Sequence, residues 1–261
     1  RSPSRGLGDV YKRQIPGIDW MRQSLNELSS TVRKAAVGRG APHGIAEDLA
    51  DAVCWLSSLS FDGVACAVDC LVDWPSETPS VQLVRDETEL VLEPAKQGTV
   101  ASVLLAGPAL GDLLQAGTVP DSGFTISVDV PLLVVAVVAQ TCARLKRRAW
   151  LRIRLEGQAV IADCNQETCQ IIAVTEQSAI TASSGSEVTL WPNQPDPGSG
   201  TTGCLITQEE FVRRRDSALT EGLDVCEDSL KQLELWAALT LVPESDRSQE
   251  TGAGAGLLDN D

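Results

Sequence analysis

Apolar residues recur at helical spacing from the start of the chain's ordered pattern. Leu25, Leu28, Val32, Ala35 and Ala36 share one face, and Ser24-Leu25-Asn26-Glu27 ahead of them reads as a capping box. Gly38 and Gly40 end that run. A second stripe, Ile45, Leu49, Ala52, Val53, Leu56 and Leu59, opens near Gly44. Glu47 and Asp48 are expected in its first turn, where the helix dipole favours anions, and Asp62-Gly63 is expected to close it. The two stripes predict a helical hairpin.

Further along, 64–72 reads as a third short helix, and 81–84 with 89–92 as short strands. Residues 99–106 and 109–116 read as two helices, the second opened by Pro108. The stretch 124–130 alternates strictly, which predicts a half-buried strand. Residues 131–148 are Val-rich, but their length, leading Pro and basic end favour a buried helix over a strand. A hairpin (149–155 and 159–162) and a meander (170–174 and 187–191) follow, then a Pro- and Gly-rich loop over 192–203. Two final helices are expected, over 207–221 with a second capping box from Thr207 to Glu210, and from Asp224 to about Leu241. Helices and strands are interspersed without strict alternation, and most strand pairs have hairpin-length links. The fold class is therefore α+β with a largely antiparallel sheet, an N-terminal helical hairpin, two C-terminal helices and a Gly/Ala-rich acidic tail.

Composition narrows this further. The chain has 261 residues, 21 Lys and Arg against 36 Asp and Glu, and a formal net charge of −15. Such a charge argues against a nucleic-acid partner, because phosphate contacts need clustered cations. The longest apolar stretch, 131–143, falls short of the roughly 20 residues of a membrane-spanning helix. Eight Cys over this length is below the density of a disulfide scaffold, so a reduced cytoplasmic location is expected. Ser4 through Gln14 looks like the translation of a sequencing adapter, so residues 1–20 are read as a non-native prefix and Met21, the single Met, as the start. Without that prefix the body holds no Tyr. Residues 21–251 then form a single domain and 252–261 a tail.

Candidate chemistry is sparse. His43 is the only His, which rules out a multi-histidine metal centre, and its plainer reading is a turn residue at a helix start. No two cysteines have the gap of a zinc knuckle or thioredoxin-like site, so small buried thiols are expected. Gly198, Gly200 and Gly203 match the dinucleotide-binding spacing, but a polar loop precedes them and no helix follows. Arg213, Arg214 and Arg215 read as solvated charge beside Asp216. The basic concentration of Arg144, Arg147, Arg148, Arg152 and Arg154 reads first as solvated charge, and with Arg247 further on it is also the candidate surface for an anionic ligand or an acidic partner. In the tail, Gly252, Gly254 and Gly256 permit close backbone approach, and Asp259, Asn260 and Asp261 bring anionic and polar oxygens that suit Mg²⁺ or an arginine cluster. No cofactor is assigned.

Three blocks carry a family resemblance: Ser24 to Glu27 with Lys34-Ala35-Ala36; Pro42 to Glu47 with Ala52 to Leu56; and the Gly252 to Asp261 tail. Pro131-Leu132-Leu133 is a weaker fourth. Together they resemble the bacterial domain-of-unknown-function family 3726, with His43 where such proteins are expected to have Trp. The family supplies no activity to carry over; the resemblance implies that the tail docks. Two functions compete. The first is a non-enzymatic binding or accessory protein for a small anionic metabolite or a protein partner. The alternative is an enzyme of small-molecule metabolism whose tail carboxylates complete the site. A homo-oligomer in which the tail enters a neighbouring protomer is a third expectation.

Overall fold

A computed structural model describes residues 19–72, 74, 81–86, 89–94, 100–155, 158–175, 186–194 and 201–241. Seven helices appear among them: α1 (Leu25–Gly38), α2 (His43–Ser58), α3 (Gly63–Val72), α4 (Val103–Ala116), α5 (Pro131–Leu145), α6 (Gln208–Glu221) and α7 (Glu227–Ala238). The strands are β1 (Trp20–Gln23), β2 (Val81–Asp86), β3 (Glu89–Pro94), β4 (Phe124–Val128), β5 (Ala149–Leu155), β6 (Gln158–Cys164), β7 (Cys169–Thr175), β8 (Ser186–Trp191), β9 (Thr201–Ile206) and β10 (Leu223–Cys226). A six-stranded sheet has the order β4-β8-β5-β6-β7-β9, and every neighbouring pair in it is antiparallel. Two-stranded ribbons β1-β10 and β2-β3 complete the α+β architecture.

The layers follow from which faces are apolar. In β5, Leu151 and Ile153 turn inward and are buried, while Arg152 between them faces out. Helix α5 packs on the inner face of β5, β6 and β8, and its other sides meet α4 and α2. It is therefore buried nearly all round, which explains its Val-rich sequence: a helix enclosed by protein needs no polar stripe. Its leading Pro131 occupies the first turn, and Lys146 ends it in the left-handed conformation (φ 52°). α1 lies between α2 and α7, and α3 follows on α2. Arg39 joins α1 to the end of α3 by donating to the carbonyls of Leu71 and Val72 at 3.0 and 2.9 Å.

Several local expectations are corrected. The capping box of α1 is present in full, with Ser24 and Glu27 bonding reciprocally. On α6 only half of one forms: Thr207 accepts from the Glu210 N–H, whereas the Glu210 carboxylate turns to Arg213 and Arg214. Glu47 and Asp48 lie beyond the first turn of α2, since the helix starts at His43. α2 ends at Leu59 with Ser60 left-handed, and Asp62 instead opens α3 by accepting from the Ala65 N–H at 3.0 Å. The two helices expected on either side of Pro108 are one. Gly107 and Gly111 let α5 approach so closely that a Cβ on either would lie 3.3 Å from Val137 or 3.2 Å from Thr141, and this packing holds α4 continuous through the proline. Asp224, expected to cap a helix, lies in β10, where buried Leu223 and Val225 flank it and Arg22 of β1 pairs with it at 2.7 Å. The last helix therefore starts at Glu227, whose N–H donates to the Asp19 carbonyl. Among the described residues no helix is long and apolar enough to cross a membrane.

Candidate functional site

Three helices and one hairpin turn enclose a groove. On α2, Asp51, Cys54, Trp55 and Ser58 stand at i, i+3, i+4 and i+7, so they form one stripe. On α6, Phe211, Arg215 and Leu219 repeat every four residues and form another. Residues of both stripes, with Leu25 and Gln140, line a cavity of about 280 Å³. A neighbouring cavity of about 220 Å³ shares Trp55, Gln140 and Arg215 and extends to Phe211, Ala139, Ala143 and the Asn165–Thr168 turn between β6 and β7.

The walls are firmly built. Trp55 is only 4% exposed, and its ring packs on Phe211 with centroids 5.9 Å apart and planes at 53°. Arg214 donates to the Leu59 carbonyl at 2.6 Å and to Glu210 at 2.6 Å, which ties α6 to the end of α2. Its two arginine partners hold the Glu210 carboxyl below the usual range, Arg213 contributing most. Gln140 donates from Nε2 to the Asp51 carbonyl at 3.0 Å and so joins α5 to α2. In the turn, the Asn165 Oδ1 accepts from the N–H groups of Glu167 and Thr168, both at 2.9 Å.

Arg215 stands where the two cavities meet. Its guanidinium lies 5.7 Å from the Phe211 ring centroid, and among the described residues no carboxylate comes within ion-pair distance of it. Withdrawal from water lowers its pKa from the ordinary value, with Asp216 opposing, but a guanidinium remains charged at neutral pH. Asp51 is pushed the other way: burial first and then Glu47 raise its carboxyl above the usual range. The Cys54 thiol is raised to about 12 by burial and by Asp51, so it stays protonated.

The basic residues singled out in the sequence are distributed differently. Arg148 makes a bidentate bond to Asp163 at 2.7 and 2.5 Å, which raises the Arg148 pKa, and lies 4.8 Å from the Trp150 ring centroid. Arg152 lies over Trp191 at 5.5 Å. These two guanidiniums cover a small outer cluster of Trp150, Ala159 and Ile161, packed with Ile172 and Trp191, on the face of the sheet away from the core. Arg154 pairs with Glu187 at 2.7 Å, and Arg147 donates to the Leu114 carbonyl at 2.5 Å. Arg147 and Arg148 also line a cavity of about 380 Å³ with Lys146, beyond the Asn165–Thr168 turn. Arg144, at the end of α5, acts on Asp48 by charge alone. Arg247, Asp259, Asn260 and Asp261 lie outside the described residues, as do the Gly198 and Gly200 loop positions. His43 is exposed at the start of α2 and does not line the groove.

The seven cysteines whose side chains are described are thiols. Cys164 and Cys169 face each other across β6 and β7 with sulfurs 3.4 Å apart, both buried, and the Cys142 thiol is raised to about 12 by burial. Among the described residues no group of three His, Cys, Asp or Glu side chains could hold a metal ion. The reading of Arg215 as solvated charge agrees with its exposure, but it did not anticipate that this residue lines both cavities. The available signal was the four-residue repeat from Phe211 to Leu219, which puts an aromatic, a cation and a leucine on one line.

Comparison with solved structures finds the same fold in two dehydrogenases. A malate dehydrogenase from Pyrococcus horikoshii OT3 superposes with a TM-score of 0.56 at 9% identity, over 86% of this chain and 98% of its own. A dehydrogenase from Sinorhizobium meliloti gives 0.56 at 10% identity, over 84% of this chain and all (100%) of its own. No curated protein matches the sequence. The model of the family described as "Protein of unknown function (DUF3726)" matches residues 23–70, which contain α1, α2 and the Asp51 to Ser58 stripe of the groove. Over that segment the chain is similar to the domain-of-unknown-function family 3726.

Proposed function

We propose that the protein binds a small organic carboxylate in the groove between α2, α5 and α6, acting as a binding or accessory protein. One observation supports the reading: Arg215, without an ion-pair partner among the described residues, lines two neighbouring cavities together with Gln140. An exposed cation at a cavity edge, with no carboxylate at ion-pair distance among the described residues, can take an anionic ligand, and its planar fork matches a carboxylate. The cavity of about 280 Å³ suits a metabolite rather than a macromolecule. A protonated Cys54 supplies no nucleophile there at neutral pH.

Calorimetric titration of the full chain with malate, lactate and 4-methylpentanoate tests the reading. At least one is expected to bind, and Arg215→Ala is expected to weaken that binding roughly 10- to 100-fold, the worth of a hydrogen bond to a charged group. Arg213→Ala, which alters a residue outside the groove, is expected to leave it unchanged. Absence of carboxylate binding, or an Arg215→Ala variant that binds normally, would overturn the proposal.

The fold shared with two dehydrogenases, one of them acting on malate by name, favours a second reading as an enzyme of small-molecule metabolism. On that reading the groove holds the substrate, and Asp259, Asn260 and Asp261 complete it. Deleting 252–261 separates the two: a truncated chain that retains full ligand binding removes the enzyme reading in this form.

A further inference from the structure

The 280 Å³ cavity is lined by one acid as well as one base. Asp51 on α2 and Arg215 on α6 both face it, yet they form no ion pair with each other, and no described residue bonds the Asp51 carboxylate. Opposite charges on flexible side chains in one small cavity pair when their helices allow it. Here the two helices are joined by Trp55 packed on Phe211, and no ion pair forms between the two charges. Building on the carboxylate reading above, we infer that the ligand is a zwitterionic amino carboxylate, its carboxylate on Arg215 and its ammonium on Asp51.

Three features support the ammonium end. Gln140 uses its Nε2 to bond the Asp51 main chain, so its amide oxygen is a further acceptor on a residue that lines the same cavity. Leu25, Trp55 and Leu219 supply apolar walls for a short side chain. The surroundings also disfavour a plain anion: Asp51 lines one cavity, Glu167 the other, and the whole chain carries −15. A second carboxylate on the ligand would meet an acid in either half, whereas an ammonium relieves the cost of holding Asp51 ionised.

The test compares glycine, alanine and leucine with the matched acids that lack the amino group: acetate, propionate and 4-methylpentanoate. In calorimetry on the full chain at neutral pH, the best amino carboxylate is expected to bind about tenfold or more tightly than its matched acid. Asp51→Asn is expected to abolish that preference without weakening the matched acid, while Arg215→Ala weakens both members of the pair. The exposed position of Asp51 makes the asparagine variant compatible with folding, and the ligand comparison on the unaltered chain stands without it. Equal or tighter binding of the matched acid would overturn this inference and leave the carboxylate reading standing. Failure of every carboxylate to bind would overturn both.

Discussion

Arg148 and Arg215 are the same residue type put to opposite uses. Arg148 is 56% exposed in its side chain, but both arms of its fork reach Asp163, whose side chain is 4% exposed. A carboxylate so deeply placed needs that partner, since a buried charge without compensation is costly. Arg148→Ala should therefore lower stability by about 1–3 kcal/mol, with solvent at the arginine end keeping the loss below that of a fully buried pair. Arg148→Lys should recover only part of it, because an ammonium cannot make the bidentate contact. Urea unfolding monitored by Trp fluorescence reads both; unchanged midpoints would show that the pair is energetically idle. Arg215 has no ion-pair partner among the described residues, and on the proposed function its charge serves a ligand. Neighbouring letters do not separate the two cases. What separates them is whether an acid lies across the sheet, as Asp163 lies opposite Trp150 in the β5–β6 register.

At the scale of elements, glycines decide how closely helices meet. Gly38 ends α1 against α7, and a Cβ built there would lie 2.0 Å from the Trp236 carbonyl oxygen and 3.3 Å from the Leu239 Cβ. Arg39 beside it stacks over the Trp236 ring at 5.2 Å. Gly38→Ala cannot be accommodated without moving α7, so a loss of about 1–3 kcal/mol or more is expected, in contrast to the gain that alanine ordinarily brings a helix. Thermal unfolding followed by circular dichroism checks the sign; a higher midpoint would mean that α7 is not held at this contact. The same elements show what was legible. The α1 cap, the helical nature of α5 and the β5 bounds follow from local pattern, because cap chemistry, a leading proline and strict alternation act within a few residues. The merged α4 and strand β10 were not legible, since α5 holds the first through Pro108 and β1 recruits the second from the opposite end of the sequence.

Over the whole molecule, acidity is a standing cost. Burial first, then Asp51, Glu47 and Asp112, raise the Asp48 carboxyl above 3.8, with Arg144 opposing. A carboxyl whose folded pKa is raised binds its proton more tightly in the native state, so its ionised form destabilises the fold at neutral pH. That penalty is fully present above the folded value and disappears as pH falls to the unfolded value near 3.8. Asp48→Asn should thus raise stability at pH 7, and the gain should shrink to nothing by about pH 3.8; a constant difference at both pH values would refute the electrostatic origin. Glu210 has the reverse sign: Arg213 and Arg214 lower its pKa, so its contribution is present above 4.5 and is lost as pH falls through the folded value. By itself the sequence determined the α+β class, the N-terminal helical hairpin, the antiparallel strands and the acidic charge, because periodicity, capping and composition are local or additive properties. Only the tertiary structure decided which arginines meet an acid among the described residues and which acid shares a groove with Arg215. Those facts depend on distances between residues brought together from distant parts of the chain, and no local pattern encodes such distances.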